Sequence, residues 1–168
     1  MGSRVYSAHV VRQVNSPALE DKSRPVRLNI PKLSIDATVE LSGVAADGSM
    51  GAPKDPANVA WFDRGVRPGQ NGAAVIDGHF GWKNNTPAAF DHLSDLRKGD
   101  EIIVTDGTGT TNVFVVRELR VYKETDDASG VFSSTDGKAH LNLITCDGFW
   151  SNSQKSYSNR LVVFADKK

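Results

Sequence analysis

The sequence predicts a mostly β domain, closed or nearly closed into a single barrel of eight strands, with one or two short helical turns. Three observations carry that expectation. Short runs rich in Val, Ile, Leu, Phe and Thr recur along the chain, and these side chains suit a pleated, half-buried surface. Gly, Pro, Asn and Asp clusters punctuate the runs. Helical spacing of apolar residues is confined to one short segment. Eight strands with so little helix imply closure, because an open sheet of that kind would leave exposed edges.

The candidate strands are Val26–Ile30, Ala37–Leu41, Ala60–Phe62, Ala73–Asp77, Glu101–Thr105, Asn112–Val121, His140–Cys146 and Leu161–Ala165. Asp106-Gly107-Thr108-Gly109 separates two strong runs and reads as a hairpin turn. Between Pro87 and Arg97, residues Ala88, Ala89, Phe90, Leu93 and Leu96 recur at helical spacing. Residues 1–24 are polar and lack periodicity, apart from one short helix expected around Tyr6 to Val14. They read as a lead-in or linker to a domain spanning 25–168. Met1-Gly2-Ser3 reads as a cloning remnant, with an N-terminal membrane anchor expected to have stood upstream.

The chain of 168 residues is long enough for one domain with its own core. Lys plus Arg equals Asp plus Glu, 20 of each, so neither a nucleic acid nor an anionic membrane surface is an expected partner. No run of about 18 apolar residues is present to span a bilayer. One cysteine and four scattered histidines give no zinc spacing, and the acidic residues are too dispersed for a calcium site, so no metal or cofactor is expected. The Gly-rich stretches at 69–72 and 107–109 lack a following Lys-Ser/Thr and read as turns, not phosphate cradles.

A lone cysteine is most often a small buried hydrophobe. Cys146, however, closes the run Leu141-Asn142-Leu143-Ile144-Thr145 and is followed by Asp147-Gly148, a pair that reads as ending the strand. That places the thiol at a strand's rim. Arg160 immediately precedes the last strand, so an antiparallel pairing would set Cys146 and Arg160 opposite each other. The polar loop Asp147 to Asn159, carrying Phe149, Trp150 and Tyr157, would overhang them. Gly78-His79 follows the strand Ala73–Asp77. If that strand runs parallel to His140–Cys146, the histidine reaches the same rim. A thiolate nucleophile, an imidazole to move the proton and a cation for the oxyanion are what cysteine acyl transfer needs.

The run Leu143-Ile144-Thr145-Cys146 resembles the Thr-Leu-x-Thr-Cys signature of sortases. Asp77-Gly78-His79 resembles the family's Gly-His element, 67 residues before the cysteine, and Asn159-Arg160-Leu161-Val162-Val163 resembles its closing strand. Phe90-x-x-Leu-x-x-Leu followed by Lys98-Gly99-Asp100 is similar to the segment that links the two motifs. The resemblance spans roughly residues 25–166, and 149–164 looks most like class F sortases. There Gly-Gly often follows the cysteine, whereas here Asp147 takes the first place. A carboxylate aimed at the sulfur would oppose thiolate formation.

The resemblance implies an eight-stranded sortase barrel on the outer face of a monoderm bacterium's plasma membrane. It implies a transpeptidase that cleaves a Leu-Pro-x-Thr-Gly-like sorting signal after Thr and forms a thioester on Cys146. The acyl group would pass to an amine of a cell-wall precursor or a pilin, the partners being surface proteins or pilins that carry the signal. Cys146 would be nucleophile, His79 general acid and then base, and Arg160 the holder of substrate and oxyanion. Thr145, Trp82 and Trp150 are candidates for substrate binding. His9, His92 and His140 read as structural or solvated, and Trp61 as core. Two alternatives stand beside transfer: a cysteine peptidase dominated by hydrolysis, and a non-catalytic barrel that only binds peptide.

Overall fold

A computed structural model describes residues 21–168, so the lead-in helix expected at Tyr6 to Val14 lies outside the described residues. The eight expected strands are all present as β1 (Pro25–Ile30), β2 (Ile35–Ser42), β3 (Val59–Phe62), β4 (Gly72–Gly78), β5 (Glu101–Asp106), β6 (Thr111–Lys123), β7 (Ala139–Ser151) and β8 (Ser156–Lys167). They close into a barrel in the order β1-β2-β3-β4-β7-β8-β6-β5. Among the described residues, no helix is long and apolar enough to cross a membrane. The helical segment after Pro87 shrinks to a 3-10 turn at Leu93–Asp95, and Phe90, Leu93 and Leu96 sink fully into the core.

Alternation along each strand sorts the side chains. Leu28, Ile76, Ile102, Phe114, Leu143 and Val163 are among those that point inward and lose all contact with water. Val131, Val162 and Phe164 form a second, smaller cluster outside the barrel wall, against Tyr122 and Ile144. The segment between β6 and β7 therefore packs on the outer face of the wall.

Two parallel pairings decide where chemistry can occur. β2 runs parallel to β3, and β4 runs parallel to β7, with Asp77 opposite Ile144. Parallel neighbours end at the same rim, so Gly78-His79 and Thr145-Cys146 emerge side by side. β7 and β8 are antiparallel with Cys146 opposite Arg160. The convergence expected from the sequence is the one observed.

The rim itself differs from expectation. Asp147-Gly148 does not end the strand, and 147–159 is not a loop: β7 runs on to Ser151 and β8 starts at Ser156. The pairing register shifts between Asp147 and Trp150, which is the mark of a β-bulge. Gly148 has φ 83°, and a Cβ there would stand 2.8 Å from Asn159 Nδ2. The glycine absorbs the irregularity, so the hairpin projects beyond the barrel instead of stopping.

Candidate active site

Cys146 is the eighth residue of β7, and its half-buried side chain lies on the outer face of the wall, because Leu143 and Thr145 turn inward. It shares with His79 and Arg160 one cavity of about 600 Å³. Trp82 and Trp150 line the same cavity together with Phe80 and Tyr157. Tyr157 holds the aromatic wall together, its ring centroid 5.3 Å from that of Trp150 and 5.6 Å from that of Phe80, both edge-on. Such edge-to-face pairs are favourable and keep ring edges available for contact. Trp150 is nevertheless half exposed, and Phe149 beside it is 87% exposed.

Thr145 is placed differently. It is 2% exposed and faces inward, where its hydroxyl donates to the Gly78 carbonyl at 2.7 Å. The bond ties the middle of β7 to the residue before His79. Gly78 is itself under constraint, since a Cβ there would lie 2.7 Å from Cγ of the Phe90 ring. Phe90 N–H in turn donates to the His79 carbonyl at 3.0 Å.

His79 has its Nε2 2.7 Å from the Pro53 carbonyl oxygen. A carbonyl can only accept, so Nε2 carries the proton and Nδ1 is left as the nitrogen that can exchange one. Trp82 flanks the imidazole with ring centroids 4.6 Å apart. Arg160 is anchored by its own strand. Nη1 donates to the carbonyls of Tyr157 and Asn159 at 3.0 and 2.9 Å, and Nη2 donates to Ser156 Oγ at 3.1 Å. A guanidinium has five N–H donors. Three are thereby used among the described residues, which leaves Nε–H and one Nη2 proton to meet an incoming oxygen.

The electrostatics favour a neutral thiol at rest. Burial pushes the Cys146 pKa up, the Arg160 charge pulls it down, and the Asp77 carboxylate pushes it up again. The carboxylate acting on the sulfur is thus Asp77, two residues before His79, and not the neighbouring Asp147 singled out from the sequence. Burial raises Asp77 to about 7, with the Arg160 charge and the Gly78 N–H opposing. Its signal in the sequence was an acidic residue in the outward row of β4, just before Gly-His. Pro53, which orients the imidazole through a backbone atom, left no such signal.

Of the other histidines, His9 lies outside the described residues, and His92 and His140 lie away from the cavity. His140 sits between Asp166 (Nδ1, 2.7 Å) and Asp136 (Nε2, 2.9 Å), and His92 is exposed beside Asp95. Trp61 is in the core, with Nε1 donating to the Val66 carbonyl. Among the described residues, no three His, Cys, Asp or Glu side chains cluster to hold a metal ion.

The chain matches the Sortase domain family model over residues 28–168. No protein of curated function matches its sequence. Solved structures similar to it include sortase A from Corynebacterium diphtheriae, in a lid mutant, at 25% identity and TM-score 0.65, covering 86% of this chain and 71% of that one. Sortase C-1 from Actinomyces oris aligns at 24% identity and TM-score 0.64, covering 84% and 72%. Sortase C1 from Streptococcus agalactiae aligns at 20% identity and TM-score 0.67, covering 92% and 72%. With a match over residues 28–168, which takes in Cys146, His79 and Arg160, the chain belongs to the sortase family.

Proposed function

We propose that this sortase is a cysteine transpeptidase that works on a Leu-Pro-x-Thr-Gly-like sorting signal at the bacterial cell surface, with Cys146, His79 and Arg160 as its catalytic residues. The observation that carries the reading is the single cavity lined by all three. Cys146 Sγ attacks the Thr carbonyl carbon as its proton passes to His79 Nδ1. The carbonyl oxygen becomes an oxyanion, and the two uncommitted N–H groups of Arg160 are suited to receive it. Collapse breaks the Thr–Gly C–N bond, the imidazolium protonates the departing amine, and a thioester remains on Cys146. An amine from a cell-wall precursor or a pilin then gives its proton to His79 and attacks the thioester. The new amide forms and the thiol is restored.

A thiol whose pKa is raised makes the reactive thiolate–imidazolium pair a small fraction of the enzyme, so slow turnover is expected. Trp82 and Trp150 stand where they can pack against the apolar residues of the signal. Thr145 contributes to the site through its bond to Gly78. The partners are surface proteins or pilins bearing the signal, with the enzyme on the outer face of the plasma membrane. The 149–164 segment supports class F, while the structural neighbours above are sortases A and C.

The test is a chromatographic assay of a Leu-Pro-x-Thr-Gly peptide library with and without an amine acceptor. Expected products are peptides cut after Thr and, with acceptor, the Thr–amine conjugate. Hydrolysis unaffected by acceptor would favour the peptidase reading. An intact library with wild-type enzyme would favour a binding barrel.

A further inference from the structure

The peptide group that orients His79 is gripped at its other end by a carboxylate. Pro53 C=O accepts from His79 Nε2 at 2.7 Å, and the N–H of the same peptide, that of Lys54, donates to Glu40 Oε2 at 2.8 Å. In a planar trans peptide the C=O and N–H point in opposite directions. Glu40 and His79 therefore stand at the two ends of one peptide dipole. We propose that Glu40 is a positioning residue for His79, holding its tautomer and ring orientation through the Pro53–Lys54 peptide; the catalytic consequence rests on the reading of His79 as the proton carrier.

Several features make this more than a loop fastening. Glu40 is on the outer face of β2, opposite Ala60 of β3, whose small side chain leaves the carboxylate free to reach outward. Its Oε1 accepts from Asn58 Nδ2 at 2.9 Å and from the Asp55 N–H at 3.3 Å, so both oxygens are fixed. Burial pushes this carboxyl upward, yet the Lys54, Asn58 and Asp55 donors outweigh it and keep the group ionised near neutrality. The far side of the connection is fastened separately, the Ala89 N–H donating to Pro56 C=O at 2.7 Å.

An anion drawing on the N–H polarises the peptide and makes its oxygen a stronger acceptor. The imidazole is thereby held with the proton on Nε2 and with Nδ1 open. A carboxylate bonded directly to a catalytic histidine does the same work in serine proteases; here one peptide stands between the two.

The test uses the full chain with three substitutions: Glu40→Ala, Glu40→Gln, which keeps an acceptor without the charge, and Lys54→Pro, which deletes the bridging N–H while sparing Glu40. Nitrogen-15 NMR of His79 in its neutral form reads the tautomer without reference to activity. Wild type is expected as the Nε2–H tautomer, Glu40→Ala and Lys54→Pro as a mixture, and Glu40→Gln close to wild type. In peptide cleavage, kcat is expected to fall about ten-fold in Glu40→Ala, the scale of one charge-assisted hydrogen bond, and less in Glu40→Gln. KM should change by less than about two-fold.

An unchanged tautomer in both Glu40→Ala and Lys54→Pro would overturn the proposal, even if stability falls. If the tautomer responds but wild type acylates no peptide, the positioning stands and the transpeptidase reading fails. If Glu40→Ala does not fold, Lys54→Pro decides by the same spectrum.

Discussion

Asp77→Asn removes a carboxylate from a place where the fold makes ionisation difficult. Asp77 lies on the outer face of β4 between Ala60 and Ile144 of the flanking strands, and burial lifts its pKa from 3.8 to about 7. Between those values the folded protein holds a proton that the unfolded chain has released, so stability falls as pH rises through the interval. At about 1.4 kcal/mol for each pH unit, the rise from 3.8 to about 7 amounts to about 4 kcal/mol of lost stability at pH 8. Partial access of water reduces that figure, and roughly 2–4 kcal/mol is the expected range.

Asparagine keeps the shape and never ionises. Asp77→Asn is therefore expected to be more stable than wild type at pH 8 by that amount and indistinguishable from it at pH 4. Urea unfolding at pH 4, 6 and 8 reads the difference. The rate at which iodoacetamide alkylates Cys146 gives a second reading. Its pH profile should move to lower pH in the variant, because Asp77 is one of the groups that raise the thiol's pKa. A variant less stable than wild type at pH 8, or one with the same difference at pH 4 and pH 8, would refute the reasoning. It would mean that Asp77 is ionised and paired with Arg160 in the folded state.

Three further outcomes are expected. Thr145→Val leaves the Gly78 carbonyl without its buried donor and should cost about 1–3 kcal/mol in urea unfolding, with slower peptide cleavage because His79 follows Gly78. Gly78→Ala drives a methyl into the Phe90 ring and should cost about 1–3 kcal/mol, partly recovered in a Gly78→Ala, Phe90→Leu double variant measured the same way. His140→Gln should destabilise by about 2 kcal/mol at pH 5.5 and by less at pH 8.5. Burial lowers the His140 pKa, but Asp136 and Asp166 together raise it above 6.5. The charged pair's contribution is thus fully present below 6.5 and lost as pH rises through the folded value, while Asp136, at about 2, stays ionised throughout. Thermal melts at the two pH values check the sign.

Much of the candidate site was legible in the sequence because it depends on where apolar runs end and how the strands pair. Apolar runs locate β4, β7 and β8, and the residues immediately after or before them, His79, Cys146 and Arg160, inherit their positions from the pairing. What escaped depends on contacts that no local pattern encodes. Asp147-Gly148 has the composition of a turn, yet in the β7–β8 hairpin the glycine serves a bulge, and only the cross-strand register distinguishes the two. Thr145 belongs to the cysteine motif, but the pleat turns its hydroxyl inward, toward Gly78. Asp77 has its unusual environment because it is buried between β3 and β7. The link from Glu40 to His79 runs through a peptide group in the long connection that the parallel β2–β3 pair requires, and backbone atoms carry no sequence signature.

The central claim, that Cys146 is an acylated nucleophile, is tested most directly by intact-protein mass spectrometry of enzyme mixed with Leu-Pro-x-Thr-Gly peptides and quenched in acid. The account predicts a mass increase equal to the peptide through Thr, located on Cys146, released by hydroxylamine and absent from Cys146→Ala. No adduct from any peptide of the library, with Cys146 still open to a small alkylating probe, would contradict it.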